Sequence, residues 1–229
     1  MRAVIVLDES GFAAVPGVLA VDQCVELVTA LDGAGSGQAG SRNLLDVSAC
    51  QQLAATFKAH TQVGPLLPHG AVAVQCAFFD KSADNNWLVA LHQDLSIPIQ
   101  ERVAHPDCSG WSKKEGVLYV QPPVAVLESL VAVRAHLDDC GSANGPLRVV
   151  PGSHRHGRLS PEAARALREQ RGAFECIARR GDVLAMRPLL LHSSSKAQAK
   201  APRRVLHFLF GPGALPCGLK WHLSGRGHR

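Results

Sequence analysis

The chain has no run of apolar residues long enough to cross a bilayer, and its apolar opening Val4-Ile5-Val6-Leu7 is broken at once by Asp8-Glu9. A spanning helix takes about 20 such residues and the core of a secretory leader about 7–15, so neither a membrane partner nor a leader is expected. Aromatics are scarce, at 5% of the 229 residues, with a single tyrosine. That is too few to interleave with basic residues as a base-stacking surface requires. The Lys and Arg behind the net charge of +5 are spread from Arg155 through Arg179-Arg180 to Arg204. The excess reads as a solvated surface or an attraction for anionic small molecules, and nucleic acid is not expected as a partner. The seven cysteines are odd in number and no two are spaced Cys-x-x-Cys. This excludes a zinc-type pairing and a disulfide framework, and leaves small buried hydrophobes in a reducing, cytoplasmic setting. No repeat of solenoid or propeller length is visible.

Apolar residues make up 46% and charged ones 19%, enough for a sizeable core. The length suits one large β-barrel-type domain over residues 1–229 and is short for two. Whether the chain is a monomer or a homodimer is left open. A short strand is expected near Ala14-Val15, then a helix from Val21 to about Leu31 with Cys24, Leu27, Val28 and Leu31 as its apolar stripe. The glycine-rich stretch from Gly33 to Gly40 reads as a mobile loop near an active-site mouth. A second helix is expected from about Cys50 to His60, followed by Pro65 and Pro68. Strands then dominate: Ala71–Phe79, Trp87–Leu95, a long region Val124–Leu137, and Pro202–Phe210. Asn144-Gly145 is a hairpin-like turn signal. Ser160-Pro161-Glu162 starts a helix that ends before Gly172.

On a strand, residues two apart share a face, so His92 and Asp94 present an imidazole nitrogen and a carboxylate oxygen to one space. One later histidine would complete a two-histidine, one-carboxylate set, which leaves neighbouring positions open on iron(II) for a chelating co-substrate and dioxygen. A second His-x-Asp, His136-Leu137-Asp138, offers the same pair, and spacing alone does not choose between them. In the last strand, Arg204, Leu206, Phe208 and Phe210 share the face suited to packing on helices. Arg203, Val205, His207 and Leu209 are then expected to line the interior. A guanidinium there is a natural fork for a carboxylate. Gln75 shares a face with the small residues Ala73 and Ala77, so it either looks into the barrel or is satisfied by neighbouring backbone.

Several motifs in order resemble the phytanoyl-CoA dioxygenase family of iron(II)/2-oxoglutarate oxygenases. They include Val15-Pro16-Gly17-Val18-Leu19, Phe79-Asp80-Lys81, His92-Gln93-Asp94 and Val120-Gln121-Pro122-Pro123. Asn144-Gly145-Pro146-Leu147 leading to Pro151-Gly152-Ser153-His154 is the most specific, and Gly181-Asp182, His192-Ser193-Ser194 and Pro202-Arg203-Arg204 follow. The resemblance implies a mainly β chain with flanking helices around a double-stranded β-helix, or jelly-roll, core. It implies Fe(II) held by His92, Asp94 and His192, with 2-oxoglutarate and O2 as co-substrates. Arg203, eleven positions after His192, and Ser194 would hold the distal carboxylate, with Trp111 beside the co-substrate; Gln75, on the strength of its face and not of the resemblance, is a further expected co-substrate residue. Arg42 matches a family arginine near the site. His136 and Asp138 would be structural, with Asp138 or Asp139 organising a turn, and His154 either a turn residue or one that supports the site from behind its ligands. The implied reaction is hydroxylation of an aliphatic C–H in a small molecule, a polar metabolite or an acyl-type substrate, with release of succinate and CO2. A non-catalytic jelly-roll binding protein and a nucleic-acid oxygenase are the alternatives. The region Leu95–Gln121, with Glu101, Arg102, His105, Lys113 and Lys114, is the expected substrate wall.

Overall fold

Antiparallel strands carry the architecture of this computed structural model, which describes residues 2–31, 41–82, 85–199 and 201–222. The larger sheet has five strands: β1 (Phe12–Val15), β10 (Val183–Met186), β7 (Val131–His136), β12 (Arg203–Gly211) and β2 (Val72–Lys81), adjacent in that order. The smaller sheet runs β3 (Val89–His92), β11 (His192–Ser194), β8 (Leu147–Val149) and β9 (Phe174–Cys176). A third sheet, β4 (Ile97–Ile99), β6 (Val117–Gln121) and β5 (Ser109–Lys114), closes one side. The fold is a jelly roll with flanking helices, and the expected loop at 33–40 lies outside the described residues.

Alternation along each strand divides the core in two. Leu206, Phe208, Phe210, Val133 and Ala135 turn outward and are buried under α2 (Val21–Ala30) and α3 (Ser48–Ala59), with the Phe57 ring edge-on to Phe208 at 5.5 Å. Leu209, Ala132, Val74 and Leu184 turn inward, where they meet Leu147 and Val149 of the smaller sheet and Ile97 and Val120 of the third. Burying one large aliphatic or aromatic side chain is worth about 1.5–3 kcal/mol, so a one-residue slip of β12 would expose three such groups at once. The parity expected from sequence therefore stands.

Helices follow the local signals with two exceptions. In α5 (Pro161–Arg171) the Ser160 hydroxyl accepts from the Ala163 N–H at 3.2 Å, and the chain leaves through Gly172 at φ +73°, a left-handed conformation that favours glycine. The first exception is α1 (Arg2–Ser10), a helix not expected from the sequence. The second is the region Val124–Leu137, expected to be one long strand. Its first part is α4 (Val124–Glu128), and β7 begins only at Val131. Pro122-Pro123 ends strand β6 and leads into the helical turn, and Val126, Leu127 and Leu130 are all buried. Helical spacing buries these residues together, which outweighs the β-propensity of Val-Ala-Val. Asn144-Gly145 is not a hairpin either: it follows a 3-10 turn, Ser142–Asn144, between β7 and β8, which belong to different sheets. No helix of the described residues is long and apolar enough to cross a membrane.

Candidate metal centre and its cavity

β3 ends at His92, so the strand expected over Trp87–Leu95 is shorter than its sequence suggests and Asp94 lies just past its end. The Asp94 N–H donates to the Pro188 carbonyl at 2.9 Å. Gln93 points the other way: its Nε2 donates to the carbonyls of Gly157 (2.8 Å) and Leu189 (2.7 Å), and its Oε1 accepts from the Leu159 N–H. Those bonds pin the tripeptide to two other loops and leave His92 and Asp94 facing the interior. His192, on β11, is the direct cross-strand partner of His92, with the rings 4.1 Å apart.

Ligand atoms of His92, Asp94 and His192 all lie within 4.8 Å of one another. Each histidine places Nδ1 2.8 Å from the carbonyl oxygen two residues before it, Ala90 for His92 and Leu190 for His192. A carbonyl only accepts, so both Nδ1 atoms carry the proton and both Nε2 lone pairs face Asp94. This is how metal-ligating histidines are oriented. The Nε2 to carboxylate distances, 3.6 Å for His92 and 3.7 Å for His192, are too long for good hydrogen bonds and fit a cation held between the three groups. Burial acts to raise the Asp94 carboxyl, but the imidazoles, His192 first, outweigh it and hold it well below the usual carboxylate range. Burial pushes His192 down to about 4. In His92 burial is opposed by Asp94, and the net direction is upward. The donor set fits a divalent iron.

The triad opens on a cavity of about 520 Å³ whose floor is the inner face of the larger sheet. Register orders that floor in rows. Arg203 pairs with Lys81; Val205 lies between Phe79 and His136; His207 between Ala77 and Arg134; Leu209 between Gln75 and Ala132. Arg203 is 3% exposed, lines the cavity, and its Nε has no protein acceptor. Lys81 is fully buried and donates to Ser194 Oγ at 3.2 Å and to the Ser195 carbonyl at 2.7 Å. Burial, aided by the charge of Arg203, lowers its amine to about 8. Arg203, Lys81 and Ser194 thus form one basic, polar corner with no carboxylate in it.

Arg204, by contrast, turns out of the cavity and grips Asp138 through two bonds of 2.8 Å. Asp138 also accepts from the Arg204 N–H, so this carboxylate braces the entry to β12. The second His-x-Asp does not converge on a metal-sized space. Gln75 lines the cavity three rows away from Arg203. Trp111 does not line it: the ring lies half-buried on β5 with the Arg102 guanidinium 5.1 Å from its centre. The tryptophan beside the basic corner is Trp87, 5.2 Å from the Lys81 amine. Of the polar residues expected in the Leu95–Gln121 wall, Lys114 lines the cavity, whereas Glu101 pairs with Lys220 on the surface. Arg42 also lines the cavity and is tied to Glu115 at 3.1 Å. Lys81 and Arg134 were missed from sequence, although the two-residue period extended from Gln75 and from His136 reaches both.

Comparison with known proteins agrees with this fold. Among solved structures, the fold is similar to the non-heme alpha ketoglutarate dependent epimerase SnoN from nogalamycin biosynthesis, with TM-score 0.71 and 17% identity over 100% of this chain and 88% of that one. It is similar to HygX from Streptomyces hygroscopicus, solved with nickel and 2-oxoglutarate bound, with TM-score 0.65 and 19% identity over 92% and 86% of the two chains. It is similar to apo EctD from S. alaskensis, with TM-score 0.67 and 16% identity over 92% and 76%. No curated protein matches the chain. The family model described as Phytanoyl-CoA dioxygenase (PhyH) matches residues 7–205. With a His-Asp-His centre at the mouth of a jelly roll and a match spanning most of its length, the chain belongs to the phytanoyl-CoA dioxygenase family.

Proposed function

We propose that the chain is an iron(II)- and 2-oxoglutarate-dependent oxygenase that hydroxylates an aliphatic C–H bond of a small molecule, releasing succinate and CO2. The carrying observation is the convergence of His92, Asp94 and His192 above a cavity whose far corner holds the buried, carboxylate-free set Arg203, Lys81 and Ser194. Nickel and 2-oxoglutarate bound in HygX, a protein of the same fold, support the same pairing here. When bound, iron(II) supplies activation of O2 coupled to oxidative decarboxylation of the co-substrate. The protein's share is placement. His92 and His192 offer Nε2 and Asp94 a carboxylate oxygen to the metal. Arg203 presents a fork to the distal carboxylate of 2-oxoglutarate, assisted by the Ser194 hydroxyl, with the Lys81 amine bridging the two strands. The walls from Leu95 to Gln121 keep water from the reacting bond.

The chain acts as one domain over residues 1–229, a reading supported by core contacts that run from Leu7 to Phe210. Seven free cysteines, six of them buried, support a reducing cytoplasmic setting. The epimerase SnoN has the same fold, so the outcome of oxidation is part of the test. Purified protein is supplied with iron(II), ascorbate, 2-oxoglutarate and a metabolite library, and both succinate and product mass are read. Succinate with a mass gain of one oxygen supports hydroxylation. Succinate with an isomeric or dehydrogenated product replaces hydroxylation by another oxidation. No metal-dependent succinate from any mixture, even uncoupled, favours the non-catalytic binding protein.

A further inference from the structure

The cavity has a second basic position that the proposed co-substrate does not use. Arg134 sits on the inner face of β7 opposite His207, four residues along β12 from Arg203, a backbone spacing of roughly 14 Å at about 3.4 Å per residue. Its guanidinium is 6% exposed. Nη1 donates to His207 Nδ1 at 3.1 Å, Nε meets no protein acceptor, and the Phe79 ring lies 5.6 Å away. No ion pair among the described residues includes it. Burial, then the charge of Arg203, lowers it to about 10, so it keeps its charge at neutral pH. His207, pushed to about 3 by burial and then by Arg134, is a neutral acceptor and does not offset that charge.

Burying a guanidinium without an anion is costly, and such groups are found paired. Among the described residues, the cavity wall contains Arg42, Lys114, Arg134 and Arg203 but only one acid, Asp94. On the oxygenase reading, on which this inference rests, the metal dication and Arg203 are matched by Asp94 and the dianionic co-substrate. Arg42 is matched by Glu115. Lys114 is exposed to solvent over the Tyr119 ring, and Lys81 is held by Ser194 and the Ser195 carbonyl; Arg134 is the cavity-lining cation left buried with a single neutral partner. The floor beyond it is apolar, with Leu127, Leu130, Leu209 and Ile97, and the polar groups there, Gln75, Tyr119 and Gln121, are uncharged.

We infer that Arg134 is the anion-recognition residue for the primary substrate, and that this substrate is a small carboxylic acid with an aliphatic or alicyclic body. Its carboxylate would take the free edge of the Arg134 guanidinium, and its body would lie on the leucine floor beside the metal. A neutral His207 holds Arg134 in place from one side and Phe79 flanks it, which makes the fork rigid before the acid arrives.

The test uses full-length protein loaded with nickel(II) and 2-oxoglutarate, which does not turn over. Nickel and 2-oxoglutarate binding to the wild type is measured first by calorimetry; if it fails, the oxygenase reading falls and the inference with it. Hexanoate and cyclohexanecarboxylate are then titrated against hexanamide and cyclohexanecarboxamide, with saturation-transfer NMR as readout. Acids are expected to bind at least about ten-fold more tightly than amides, as a charge-assisted fork requires. Arg134→Gln should lose roughly ten- to a hundred-fold in acid affinity, leaving amide and 2-oxoglutarate affinities unchanged. Arg134→Lys should fall between the two, since an ammonium keeps the charge and loses the fork. The wild-type comparison of acid and amide stands even if the Gln variant fails to fold. Equal binding of acid and amide, no binding of either acid, or unaltered acid affinity in a folded Arg134→Gln protein would each overturn the inference. So would a loss of 2-oxoglutarate affinity in Arg134→Gln, which would make Arg134 a co-substrate ligand instead.

Discussion

His92 and Asp94 leave the end of β3 with side chains 40% exposed to a cavity, whereas Asp138 leaves the end of β7 with a side chain only 7% exposed and His136 is buried. The tripeptide pattern is the same in both places. At β3, the Ala90 carbonyl fixes one imidazole nitrogen and a cross-strand histidine supplies a second ligand. At β7, neither His136 nitrogen has a partner, and Asp138 is taken by Arg204 and Arg180. Two cations beside it make Asp138 a brace. Burial, then the charges of Arg134 and Arg203, hold His136 down at about 3 and so neutral. A His-x-Asp pair becomes a metal site only where a third donor converges on it and no cation competes for the carboxylate.

The sharpest way to break this comparison is to remove one histidine from each copy. His92→Ala or His192→Ala should abolish stoichiometric binding of iron(II) or nickel(II) by anaerobic calorimetry, while His136→Leu should leave it intact. Metal that tracks His136 instead would reverse the assignment.

A smaller but still large effect is expected between the two arginines of β12. On the proposed reading, Arg203→Ala would remove a desolvated carboxylate partner worth about 1.5–3 kcal/mol, which is roughly ten- to a hundred-fold in the Michaelis constant for 2-oxoglutarate. Arg203→Lys should recover part of that. Arg204→Ala should leave the constant near its wild-type value, because that guanidinium faces Asp138 and not the cavity.

Asp138→Asn carries the comparison into stability. It weakens a charge-assisted brace on the Arg204 backbone and side chain, and should cost about 1–3 kcal/mol in urea unfolding with metal stoichiometry unchanged. Asp94→Asn should do the opposite, weakening metal binding with little loss of stability in the metal-free protein.

The gentlest probe is pH. His136 is held neutral in the fold to about 3, below its ordinary 6.5, so below about pH 6.5 the unfolded chain takes up a proton that the folded chain refuses. Stability should therefore fall as pH drops from 6.5 towards 3, by at most about 1.4 kcal/mol per pH unit from this group. His136→Leu should flatten that part of the curve. An unchanged slope in urea midpoints across this range would mean that His136 gains a proton in the fold.

Much of this was legible along the chain because strand parity is local. Arg203 inward and Arg204 outward follow from two phenylalanines on one face, and no distant contact was needed to see it. The α5 cap was legible for the same reason, in Ser160-Pro161. Val124–Glu128 was not, since its β-branched residues favour a strand and only burial of Val126, Leu127 and Leu130 together makes it a helix. Trp111 was placed beside the co-substrate by resemblance, and the path of the β5–β6 hairpin puts it elsewhere.

By itself the sequence determined the order of the motifs, the inward and outward faces of β12, and the residue types able to hold a metal and grip a carboxylate. Only the tertiary structure decided which His-x-Asp pair gains a third ligand, which tryptophan flanks Lys81, and that Arg134 stands buried without an anion. The physical reason is range. Alternation and capping act over two to four residues, whereas ligation and charge pairing need atoms from segments about a hundred residues apart, such as His92 and His192, to meet within a few ångströms.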